Sequence, residues 1–343
     1  MTKSKQRELW VDYSRAIACF LVAIGHLFMS FTEASMIENR GLDLFIKTIY
    51  HFHVYIFFFC SGYLFQKTFA KRLDKREYWK HKFERFIDML IPYVFFSMVT
   101  YLIKVIFSGD VNTDVNESFM NTILEAPINQ MWFLYALIII QLLTPVIMRR
   151  ENIWILLIIA VLLKGVNIIN PITLPAIIRY FFADYIWFLL GMIFAYSGVF
   201  LKRKYTYICL IMFIIIDIFT FIYNIDNRFV DCILTLVGVL GIISLVQIYT
   251  KNIVKMKKIW ECLSKYMFQI YLLHTICAAG IRIILLKFTI NNFWIHFVLG
   301  ILFSFMVPVL CAWIAEKTII LEIVFYPTKT IKQFIRMNKK CTE

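Results

Sequence analysis

Residues 10–31 read WVDYSRAIACFLVAIGHLFMSF, and this stretch decides the fold class. It is long enough to cross a hydrocarbon core, which takes ~20 mainly apolar residues. Three of its residues are not apolar: Asp12, Arg15 and His26. At ~100° per residue, Arg15 and His26, eleven positions apart, fall within ~20° of one face, and Asp12 joins them. Ionisable groups inside a span are costly and normally face the protein interior or a water-filled cavity. The stripe Asp12, Arg15, Cys19, Val22, His26 therefore points at a site. A blander account stays open for each member. Asp12 and Arg15 also fit an interfacial ion pair with Arg15 snorkelling. His26 also fits an interhelical hydrogen bond.

Composition extends this reading to the whole chain. Of 343 residues, 61% are hydrophobic, against ~45–50% for a soluble domain. Nine further apolar segments follow the first, at 49–66, 86–107, 130–148, 152–169, 180–200, 205–223, 229–249, 265–286 and 293–315. The expected fold is all-α, a polytopic membrane protein with about ten transmembrane helices. An even number of spans puts both termini on one side, and the positive-inside rule chooses which. With the N- and C-termini cytosolic, 26 of the 36 Lys and Arg residues fall inside and five outside. The net charge of +14 thus follows the membrane and implies no nucleic acid partner. The first span reads as an uncleaved anchor: it is too long for a signal-peptide core and lacks a small-residue cleavage site.

The eight cysteines form no CxxC and lie mostly in apolar spans, so they read as small buried hydrophobes and no metal site is expected. Cys19 lies on the polar stripe, where it is also a conceivable acyl carrier. The longest outer segment, 108–129, has no Lys or Arg and carries Asp110, Asp114, Glu117 and Glu125. Its Asn116-Glu117-Ser118 sequon is too short a motif to carry weight.

The second segment, HFHVYIFFFCSGYLFQK, places His53 toward its outer end and Ser61-Gly62 further in. A basic stretch follows, with Lys80, His81, Lys82 and Arg85 before Leu90-Ile91-Pro92-Tyr93. Trp132-Phe133-Leu134 stands in the fourth segment and Tyr271-Leu272-Leu273-His274 in the ninth. In this order the motifs resemble the membrane-bound acyltransferase family 3, the integral-membrane O-acyltransferases of surface polysaccharides, peptidoglycan and lipids. The first-span pattern D-x-x-R-(x10)-H is met by Asp12, Arg15 and His26. The second-span pattern is met by Phe52, His53, Phe57, Phe58, Ser61, Gly62 and Tyr63, with Tyr55 where the family often has Pro. The family often has R-x-x-R before the proline of the third segment. Here Asp88 stands at the second position, so Arg85 alone, or Lys82 with Arg85, meets that motif.

The resemblance covers essentially the whole chain. It implies a single integral-membrane acyltransferase domain over 1–343, with no appended soluble domain, in the plasma membrane. It implies acyl-CoA as co-substrate, with no bound cofactor, and a glycan or lipid-linked sugar as acceptor. His26 is the implied general base. Arg15, Asp12, Arg85, Lys82, His53, Ser61 and His274 are the candidates for binding the acyl donor or the acceptor. Helix geometry is compatible with these roles: His26 lies ~24 Å beyond Trp10 along the helix and Arg15 ~7 Å. Asp12, ~21 Å from His26, cannot orient its imidazole. His53 stays open as an alternative base. Ser61-Gly62 also fits a plain helix–helix contact, and His274 also fits a packing hydrogen bond. A flippase or exporter of lipid-linked sugars and a glycan polymerase are the rival readings. Against them stand the absence of paired Gly/Pro-broken helices and the lack of Arg in the longest outer loop.

Overall fold

The computed structural model describes residues 8–71, 74–107, 118–128, 130–169 and 174–342. Lys3, Lys5, Arg7, Arg72 and most of the acidic segment, including Asp110, Asp114 and Asn116-Glu117, lie outside the described residues.

The chain forms helices α1 (Leu9–Glu33), α2 (Arg40–Tyr50), α3 (His53–Phe69), α4 (Lys75–Ile106), α5 (Phe119–Leu124), α6 (Met131–Leu143) and α7 (Arg150–Ile169). There follow α8 (Ala176–Ser197), α9 (Arg203–Ile222), α10 (Arg228–Thr250), α11 (Lys258–Lys287), α12 (Phe293–Ala315), α13 (Ile319–Phe325) and α14 (Pro327–Thr342). Among the described residues, nine helical segments are long and apolar enough to cross a membrane, with α2 and α3 together making one of them. The shorter apolar α6 makes ten, and each matches one segment expected from the sequence. The chain is a multi-pass membrane protein.

The helices sort by burial. α7 buries only Ala160 and α9 only four residues, so their apolar surfaces face lipid. α6 is buried along most of its length and is apolar all round, as an interior helix should be. α1, α3, α6 and α11 form the centre, with α1 packed on α11 and α3 and α3 packed on α8. The α1 stripe faces this interior: the Cys19 thiol reaches Met267 O of α11 at 3.6 Å.

Two segments depart from the continuous spans expected from the sequence. The second is broken at His51-Phe52, where Phe52 adopts φ −136°, ψ −28°. His53 becomes the first residue of α3, and its Nδ1–H donates to Ile49 O at 2.5 Å, a carbonyl that also accepts from Phe52 N–H at 3.2 Å across the break. The fourth, expected to 148, ends at Leu143. Pro145 pushes Thr144 out of the helical region, to ψ 127°. Extended backbone in a membrane survives only when its polar groups are met by protein. Here Gln66 of α3 does this twice, donating to Ile147 O at 2.7 Å and accepting from Ile147 N–H at 3.0 Å.

Candidate functional site

The sequence places Arg15 and Arg85 seventy residues apart, and the bundle brings both to the wall of one cavity of about 340 Å³. Ser61, Asp88, Gln141 and Lys329 share that wall, and the rest is largely aromatic and aliphatic. Arg15 is half-buried and its Nε–H has no hydrogen-bond partner. It lies within electrostatic range of both Asp12 and Arg85. A buried, unspent guanidinium donor suits an anion or a carbonyl oxygen, because leaving it unmet costs ~1–3 kcal/mol.

Asp88, at the position where the family often has a second Arg, holds the chain's C-terminal segment in place. Its Oδ1 accepts from Thr328 N–H at 3.0 Å and from the Thr328 hydroxyl at 2.7 Å. This contact seats the start of α14, so that Tyr326, Thr328 and Lys329 reach the cavity. Lys329 also pairs with Glu322 at 2.6 Å, and that bond raises its pKa. The cavity wall thus gains a third cation, beside Arg15 and Arg85, from the C-terminal segment. Sequence reading missed Lys329, and the basic C-terminal stretch was the only hint of it.

Lys82 is placed differently. It does not line the cavity, and its Nζ donates to Thr144 O at 3.1 Å. With the Tyr78 hydroxyl at 3.4 Å and the Trp79 ring at 5.3 Å, the ammonium is held against the break after α6.

The inner wall of the cavity is made by Phe57, Phe133 and Tyr271, whose rings stand 5.7 Å apart between Phe57 and Phe133 and 5.7 Å between Phe133 and Tyr271. The Tyr271 hydroxyl donates to Gln130 O, which fixes that ring. Phe57 is one helical turn from His53, and Tyr271 precedes His274 by three residues, so the cavity stops ~5 Å short of a histidine cluster.

The cluster joins α1, α2, α3 and α11. His26 Nδ1 is 3.4 Å from the Tyr50 hydroxyl, which also reaches Met29 Sδ at 3.4 Å. The His26 ring lies 5.3 Å from that of His274, and the Tyr50 ring 4.7 Å from that of His53. His274 is 1% exposed, and its Nδ1–H is shared between Ile270 O and Tyr271 O, both at 2.9 Å. Tyr50 was not singled out by sequence; its place one turn from His53 becomes significant only once α2 and α3 are seen to break between them. The three histidines are not a metal triad: among the described residues no three His, Cys, Asp or Glu side chains are placed to share an ion. Arg282, on the same helix as His274, donates to Ser30 O at 2.6 Å and so closes the last turn of α1.

The interior thus holds a cation-lined cavity and, beyond its aromatic wall, a cluster of three histidines. Residues 8–313 match the acyltransferase 3 family, described as "Acyltransferase domain", and the chain belongs to that family. It is similar to Nodulation protein NolL of Mesorhizobium japonicum, 27% identical over 224 residues, covering 61% of this chain and 54% of that protein. It is also similar to Nodulation protein NolL of Sinorhizobium fredii, 28% identical over 200 residues, covering 56% of this chain and 50% of that protein. The matched part thus spans about half the length of these curated relatives. No solved structure matches the chain.

Proposed function

We propose that this protein moves an acyl group, acetyl in the simplest case, from acyl-CoA to a hydroxyl of an exported or cell-surface glycan at the plasma membrane. The observation that supports the reading is the placement of Arg15 and Arg85 on one interior cavity whose aromatic wall separates it from the His26–His274 cluster. The acyl-CoA enters from the cytosolic side, where the positive-inside rule places the basic segments. Its phosphates meet Arg85 and Lys329 at the mouth and Arg15 deeper in. The ~16 Å from Arg15 to His26 along α1 is spanned by the extended arm that carries the thioester.

At the far end, His26 is the base. The Tyr50 hydroxyl has one hydrogen; when Met29 Sδ takes it, the Tyr50 oxygen accepts His26 Nδ1–H. His26 Nε2 is then a bare lone pair. It removes the proton of the acceptor hydroxyl as that oxygen attacks the thioester carbonyl, and the Tyr50 oxygen stabilises the imidazolium so formed. The C–S bond then breaks, and the imidazolium gives its proton to the departing sulfur, so that CoA leaves as the thiol and His26 is neutral again.

Purified protein in nanodiscs, given radiolabelled acetyl-CoA with and without a pool of surface glycans, tests this directly. Label in the glycan supports the reading. No release of CoA with any glycan, in a protein that binds lipid-linked sugars, replaces it with the transporter. In the same assay Arg15→Gln is expected to raise the KM for acetyl-CoA about 10- to 100-fold, the equivalent of the ~1.5–3 kcal/mol of a hydrogen bond to a charged group. Arg85→Gln has a smaller effect that fades with salt, because Arg85 is exposed and screened.

A further inference from the structure

His274 has a feature that the base mechanism does not use. Its Nδ1–H is committed to the carbonyls of Ile270 and Tyr271, so Nε2 can only be an acceptor. That Nε2 is buried and has no hydrogen-bond partner. The ring is not free to turn away to find one. It is gripped at Nδ1 by its own helix, and its backbone carbonyl accepts from the Ser304 hydroxyl of α12 at 3.4 Å. A buried acceptor held without a donor is a standing cost, and a ligand that brings an O–H or N–H removes it.

The neighbourhood says what kind of ligand. The His26 and His274 rings lie 5.3 Å apart at a tilt of 45°, with no hydrogen bond between them. Two rings at that separation can each offer an acceptor nitrogen to a ligand with two adjacent donors, one for each ring. A sugar carrying free hydroxyls on adjoining carbons has that arrangement.

We propose that His274 is the acceptor-reading residue of the site: its Nε2 takes a hydrogen bond from the hydroxyl next to the one that His26 deprotonates, so the enzyme selects a vicinal diol. The proposal rests on the acyltransferase reading above. It makes His274 a specificity residue that touches substrate, and it leaves the proton transfer itself to His26. A hydroxyl whose neighbour is already acylated, methylated or missing is a poor acceptor, so acylation at one position blocks the adjacent one.

The test uses the full-length protein in nanodiscs, labelled acetyl-CoA, and a panel of methyl hexopyranosides and methyl 6-deoxyhexopyranosides. For each acetylated glycoside, the monodeoxy derivative lacking the adjacent hydroxyl is compared with its parent. Wild type is expected to favour the parent by roughly 10- to 100-fold in kcat/KM. His274→Leu is expected to bring that ratio near one, and His274→Gln, which restores an acceptor oxygen, to recover part of it. A ratio compares two substrates on one enzyme sample, so it is unaffected by the fraction of a variant that folds. An unchanged ratio in His274→Leu, or a wild type that accepts parent and deoxy derivative equally, overturns the proposal. Acetylation of no glycoside in the panel, with no CoA released, overturns the acyltransferase reading beneath it.

Discussion

His26→Ala is expected to lower acyl transfer by roughly 10²–10⁴-fold, the usual contribution of a positioned general base. The protein should remain folded in the membrane. His26 is half-buried and makes ring contacts with Tyr50 and His274 and one long hydrogen bond, so its removal leaves no charged partner stranded. Folding is checked by a monodisperse peak in detergent and by retained affinity for acetyl-CoA, since Arg15 lies ~16 Å from His26 along α1. His53→Gln belongs in the same experiment. His53 spends Nδ1–H on Ile49 O at the broken start of α3, so its loss should lower activity through the position of Tyr50, whose ring it touches at 4.7 Å. If His26→Ala keeps most of its activity and His53→Gln loses it, the base is His53.

The parts of this site that sequence exposed are those encoded within one helix. Asp12, Arg15 and His26 share a face because helical spacing demands it, and the structure turns that face toward α11 and α3. The ten apolar segments were legible for the same reason: crossing hydrocarbon is a local requirement of length and composition. What sequence did not show depends on partners far along the chain. The extended stretch after α6 exists because Gln66, 81 residues earlier, satisfies its backbone. Lys82 reads as a cation for phosphate until Thr144 O is found beside it, 62 residues on. Asp88 reads as a departure from the family pattern until Thr328 is found across 240 residues, with Lys329 beside it at the cavity. In each case the residue type was visible and its partner was not.

Gly191→Val is expected to abolish the folded protein, and Gly62→Ala to come close. The two glycines sit at one crossing of α3 and α8 and face each other reciprocally. A Cβ at Gly62 would overlap the carbonyl of Phe188, and one at Gly191 the carbonyl of Phe59 and the amide of Tyr63. The obstacle in both cases is backbone, which cannot rotate aside as a side chain would. The helices would have to separate along a contact that packs Phe59 against Phe194 and Phe65 against Phe188. Overpacking of a core by side chains costs ~1–3 kcal/mol, and a clash with two backbones exceeds that range. Small residues are what let helices approach so closely where lipid gives no hydrophobic drive for association. Fluorescence-detected size exclusion of membrane extracts checks the result: the monodisperse peak should vanish for Gly191→Val. Gly165→Ala and Gly280→Ala are the matched controls, because a Cβ at either meets nothing within 4 Å. Each should be neutral or stabilise its helix by up to ~1 kcal/mol. The crossing also bears on function, since α3 carries Phe57, Ser61 and Phe65 to the cavity wall. Any Gly62→Ala protein that survives should therefore show a raised KM for acetyl-CoA. A fully stable Gly62→Ala with wild-type KM would mean that α3 and α8 do not approach as described.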